Sequence, residues 1–153
     1  MSSLTSYLPP FEGLLPKWLF LVSIISVANS IQAYTTLHYT QRVYSGTRST
    51  SSSSRSPSES STANSPVTPL SARTFGTWTL LSSIIRLYAA YNITNPQVYQ
   101  LALWTYGIAW VHFVSEWCVF GTTRWGAGLA GPVCVSTGSL VWMWYQWGYY
   151  VGA

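Results

Sequence analysis

The chain has 153 residues with only 7% charged: seven bases, three acids and no Asp, against 16% aromatics. Ordinary soluble domains carry roughly 25% charged residues, so composition points to an integral membrane protein. The net charge of +4 sits mostly on arginines of one connecting segment. No folded part offers the clustered basic face that phosphate recognition needs, which excludes nucleic acid as a partner.

In chain order, an N-terminal tail (1–16) precedes a first span over 17–36 (KWLFLVSIISVANSIQAYTT). It is near the roughly 20 residues a helix needs to cross a bilayer and lacks a clear small-residue cleavage site, so it reads as an uncleaved anchor. Ser23, Ser26, Asn29, Ser30 and Ala33 fall within an arc of about 120° at about 100° per residue. Such a stripe allows close helix approach, and Asn29 can hydrogen-bond across it.

Residues 45–69 form a Ser/Pro/Thr tract without an aromatic, expected to be a disordered loop because nothing in it offsets the entropy of ordering. Further spans follow over 74–91, 97–120 and 128–147. Apolar residues come in runs rather than alternating, which favours helices over a barrel. The expected fold is all-α: an integral membrane four-helix bundle with a disordered Ser-rich loop between helices 1 and 2. Short links make spans two, three and four antiparallel neighbours.

In the fourth span Pro132 is placed in the first turn, where a missing N–H costs least. Gly131, Cys134, Gly138 and Ser136–Thr137 are expected to give it a close-packing surface like that of span one. Cys118 and Cys134 read as buried apolar thiols. Trp18, Tyr88, Tyr91, Tyr99, Trp147, Tyr149 and Tyr150 on one side, and Tyr39, Phe75, Trp78, Trp117 and Trp125 on the other, read as interfacial belts. Arg42, Arg48, Arg55, Arg73 and Arg124 outnumber Lys17 and Arg86, which puts the termini in the lumen and the Ser-rich loop in the cytosol.

A charge at bilayer depth costs at least about 2.5–3.5 kcal/mol, so each needs a partner. At 1.5 Å per residue from the 92–96 connection, Glu116 and Arg73 lie roughly 25–28 Å down, and Arg86 about 7–8 Å down. An Arg73–Glu116 ion pair is therefore expected, with Arg86 snorkelling to headgroups or binding a buried acceptor. His112 and Glu116 share one helix face. An interhelical polar cluster is the preferred reading; a lipid or sterol contact and an acid/base couple are the rivals. No metal-ligand set, phosphate loop or nucleophile motif is present, so no catalytic, metal or cofactor residue is assigned.

Several blocks touch all four spans: Leu15-Pro16-Lys17-Trp18-Leu19, Asn29-Ser30-Ile31-Gln32, Leu70 through Thr79, and Ile85-Arg86 with Tyr88. His112-Phe113 with Ser115-Glu116, Gly131-Pro132, Val135-Ser136-Thr137 and Ser139 through Met143 complete the set. In these the chain resembles the ergosterol biosynthetic protein 28 family; the long 45–69 loop departs from it. The resemblance implies a non-enzymatic, multi-pass protein of the endoplasmic reticulum membrane. It implies a scaffold for sterol C-4 methyl oxidase, a 3β-hydroxysteroid dehydrogenase/decarboxylase and a 3-ketosteroid reductase, with a sterol C-24 methyltransferase also linked. Tethering raises effective concentration without chemistry from the tether. The alternatives are a sterol- or lipid-binding membrane protein presenting substrate and a small enzyme using His112 and Glu116. Self-association through the small-residue stripes is a further expectation.

Overall fold

The computed structural model describes residues 7–46 and 65–152. Five helices make up the fold: α1 (Leu15–Thr35), α2 (His38–Val43), α3 (Pro69–Tyr91), α4 (Pro96–Cys118) and α5 (Ala127–Tyr150). There is no strand among the described residues, in keeping with the all-α expectation. α2 has no counterpart among the expected spans.

Local chemistry sets the starts. Pro lies in the first turn of α1, α3 and α4, where its missing N–H is no loss. Thr68 and Ser71 form a reciprocal capping box on α3, so that helix begins at Pro69 rather than at 74. Asn95 accepts from the backbone N–H of Gln97 and Val98 to cap α4. Pro132 falls inside α5, not in its first turn, because the helix starts at Ala127.

α1 and α3 run antiparallel in close contact: Phe20 meets Tyr91 near one end and Tyr34 bonds Thr77 near the other. Between them Ser30 Oγ donates to the Gly76 carbonyl at 2.7 Å. A Cβ at Gly76 would lie 2.9 Å from the Tyr34 ring, so glycine permits this crossing. Ser23, Ser26, Ser30 and Ala33 are buried as the stripe predicted, while Asn29 is half-buried.

α4 and α5 pair through Tyr99, whose hydroxyl donates to the Met143 carbonyl at 2.7 Å, and α3 meets α4 through Phe75 and Phe113. α1 and α5 approach at one end, where Trp18 Nε1 donates to Ser139 Oγ at 2.9 Å. At the other end α2 bridges them: a Cβ on Gly128 of α5 would overlap the Arg42 carbonyl.

Several expectations are corrected. Tyr99, Tyr150 and Phe75 are buried, the two tyrosines held by the hydrogen bonds of their hydroxyls to Met143 and Glu12 carbonyls and Phe75 packed with Ala33, Val43 and Phe113. All three belong to the core and not to a belt. Cys118 and Cys134 are free and exposed, because both fall on outward helix faces. Gly138 is exposed with open space around it, and a Cβ at Gly131 would also meet nothing, so the two glycines make no close crossing within the chain; of this surface only Ser136 is buried. Of the Ser-rich tract, 47–64 lie outside the described residues. Its flanks are pinned: Ser65 Oγ donates to the Tyr44 carbonyl at 2.6 Å and the Gly46 N–H to the Thr122 carbonyl at 3.0 Å.

Large apolar side chains point outward on all four long helices, among them Leu21, Ile31, Leu81, Leu101, Ile108, Val141 and Trp144. Among the described residues α1 alone is both long and apolar enough by composition to cross a membrane. Arg86 and the hydroxyl residues dilute α3, and the many Trp and Tyr, weakly apolar on hydropathy scales, dilute α4 and α5.

Candidate functional site

Two features built from all parts of the fold stand out. The first is a crevice of about 260 Å³ between the α1–α3 pair and α5. Trp18, Val22, Ile25, Ser26 and Asn29 line it from α1, and Phe75, Trp78, Ser82 and Arg86 from α3. Ala109 and Phe113 of α4 close its floor, facing Pro132, Val135 and Ser136 of α5. The walls are apolar apart from a few hydroxyls, one amide and one guanidinium. Asn29 Nδ2 reaches the Tyr39 hydroxyl at 3.5 Å.

Arg86 is only 7% exposed. Its Nε donates to Thr105 Oγ1 at 2.9 Å and Nη2 to the Thr105 carbonyl at 3.3 Å, while Cζ lies 4.0 Å from the centre of the Tyr106 ring. Of the two outcomes expected for this residue, the buried acceptor is the one observed. The reason is directional: Cα–Cβ bonds tilt toward the helix N-terminus, and the N-terminus of α3 lies at the far end of the molecule. The side chain therefore starts inward, toward Thr105 about 13 Å along α4.

The second feature is an aromatic and polar cluster at the opposite end. Tyr44 Oη and His112 Nε2 are 2.6 Å apart. Tyr44, Trp78 and Phe113 surround the imidazole edge to face, with centroids 5.2–5.9 Å away. Burial first, then the Glu116 charge and then Tyr39, push the Tyr44 hydroxyl well above the usual tyrosine range. It therefore stays protonated and able to donate. A cavity of about 500 Å³ opens beside it, lined by Thr40, Tyr44, Leu70, Thr74, Trp78, His112 and Glu116.

The expected Arg73–Glu116 pair does not form. Arg73 is exposed, and the Glu116 carboxylate accepts from Thr122 Oγ1 in the connection after its own helix. Equal depth brought the two residues level; rotation about α3 separated them, since Phe75 and Trp78 hold the inward face. His112 and Glu116 do share a face, and the partner of His112 is Tyr44, which the sequence reading did not single out. Only its position just past the first span, level with His112, hinted at the contact. No group of three His, Cys, Asp or Glu side chains is placed to hold a metal among the described residues.

Residues 15–141 match the family model described as Erg28 like protein. The chain is 47% identical to ergosterol biosynthetic protein 28 of Candida albicans over 91% of this chain and 89% of the relative. It is 45% identical to the Saccharomyces cerevisiae protein of the same name over 92% and 85%. The Homo sapiens homolog is 36% identical over 87% and 84%. No solved structure matches the chain.

Proposed function

Because the chain belongs to the Erg28-like family, we propose that it is a non-enzymatic scaffold of ergosterol biosynthesis. In this reading it is a multi-pass protein of the endoplasmic reticulum membrane that holds the sterol C-4 demethylation enzymes together. The partners are the oxidase, the dehydrogenase/decarboxylase and the ketosteroid reductase, with the C-24 methyltransferase a further candidate. The observation that carries the reading is 47% identity across 91% of the chain to a protein named for ergosterol biosynthesis.

The outward apolar faces of α1, α3, α4 and α5 support four crossings, since lipid tolerates what water does not. A four-helix membrane bundle uses those faces for lipid and for partner helices. Recovery of the three enzymes with the tagged chain, from microsomes dissolved in a mild detergent, tests the proposal. Loss of all three at extraction conditions that keep the chain folded overturns it, as does release of the chain by alkaline carbonate.

The crevice favours a second reading, a sterol- or lipid-binding protein that presents substrate. Its polar points lie along an apolar slot opening sideways at Ile25 and Gly131, both exposed. Saturable uptake of a labelled sterol by the purified chain tests that reading.

A further inference from the structure

We propose that the crevice binds an amphiphile carrying a single carboxylate, with its apolar body between α1 and α5 and its carboxylate on Arg86. This deepens the second reading above and rests on it.

Arg86 has no counter-charge among the described residues. A guanidinium has five N–H donors, and the structure gives Arg86 two hydrogen bonds, both to Thr105. Thr105 and the Tyr106 ring carry no formal charge. Buried arginines are almost always paired, because a lone charge in a low-dielectric interior is costly. The two acids among the described residues are elsewhere. Glu12 is exposed in the segment before α1. Glu116 lies about 16 Å further along α4 than Thr105 at 1.5 Å per residue, and its carboxylate is held by Thr122. The lining residues from α1, α2, α4 and α5 are all neutral, so Arg86 is the one charged group facing the crevice among the described residues.

Shape narrows the ligand. A carboxylate offers the planar, two-oxygen edge that suits a guanidinium fork. From the level of Trp18 to that of Asn29 the slot runs about 16 Å along α1, walled by Val22, Phe113 and Val135. Its volume of about 260 Å³ lies below the roughly 300–1,000 Å³ of drug-sized sites. It therefore fits one slender body, with the remainder at the sideways opening. Two sources share this chemistry, a fatty acid and a rigid polycyclic acid.

The test uses the full chain in phosphatidylcholine nanodiscs, with labelled oleate and a labelled tetracyclic steroid acid, each compared with its methyl ester. Saturable binding of at least one acid is expected, with its ester weaker by roughly tenfold or more, the loss expected for a charge-assisted contact. The tighter acid identifies the source. Arg86→Gln should abolish the preference for acid over ester, and Val135→Trp should block both by filling the slot. Should Arg86→Gln not fold, the ester comparison and Val135→Trp still decide. Esters binding as well as acids overturn the carboxylate and leave the lipid-binding reading standing. No saturable uptake of acid, ester or neutral sterol overturns both.

Discussion

The two flanks of α1 are packed by opposite rules. Toward α3 the contact is tight, made by Ser23, Ser30 and Ala33 against Ala72, Gly76 and Ser83, all buried, with one hydroxyl-to-carbonyl bond across it. Toward α5 the helices stand apart around the crevice, touching at Trp18 and, through α2, at Gly128. Small side chains make a crossing close; large ones such as Trp18, Phe75 and Trp78 prop the other side open. One side has no spare volume and the other has volume and an unneutralised cation. The difference separates a seam that holds the fold from a slot that can take an occupant.

Substitutions should separate the two flanks. The largest effect is expected from Gly76→Leu, since even a Cβ there meets the Tyr34 ring at 2.9 Å and the Ser30 carbonyl at 3.2 Å. A cost of about 3 kcal/mol, the upper range for overpacking, should appear as a large drop in thermal midpoint in detergent. A neutral outcome would mean that α1 and α3 do not cross here. Ser30→Val should cost about 1 kcal/mol by removing the bond to the Gly76 carbonyl, read by the same melt.

Tyr44→Phe, at the aromatic end, should cost a comparable ~1 kcal/mol through the lost bond to His112. Because the Tyr44 pKa in the fold lies above its ordinary 10.0, its contribution is fully present below that value and fades as pH rises beyond it. The gap between the wild type and Tyr44→Phe should thus be flat from about pH 7.5 to about pH 9 and shrink above. It should change again in acid, where protonation of His112 removes the nitrogen that accepts the bond. The smallest effect is expected in the slot. Val135→Phe should change stability by less than about 1 kcal/mol because it enters existing space. A loss as large as that of Gly76→Leu would mean the slot is packed solid.

The tight flank was legible in the sequence and the open flank was not. Ser23, Ser30 and Ala33 repeat at helical spacing, so a single helix carries the information, although Ser26 and Asn29 of the same stripe line the crevice instead. The slot depends on how four helices rotate, and no local pattern encodes rotation. Depth arithmetic shows why: it put Arg73 and Glu116 level, as the helices do, yet the facing residues are Phe75 and Trp78. α2 escaped notice because six residues of mixed polarity have no periodic signature; docking of Val43 and Thr40, both buried, holds it. Arg86 was visible as an anomaly from composition alone. Its acceptor at Thr105, about 13 Å down α4, needed the direction of a Cβ and not just a count of residues.

The Tyr150 hydroxyl donates to the Glu12 carbonyl at 2.9 Å, tying the far end of α5 to the segment ahead of α1. Glu12 and Tyr150 are thus held side by side. Where the chain is severed becomes a matter of convenience, because permutation is tolerated where few contacts are cut. A rearranged version starting at Ser65, running through a short linker from Gly152 to Tyr7 and finishing at Gly46 should keep every helix neighbour. It would also set both new ends beside Tyr44, at the rim of the larger cavity.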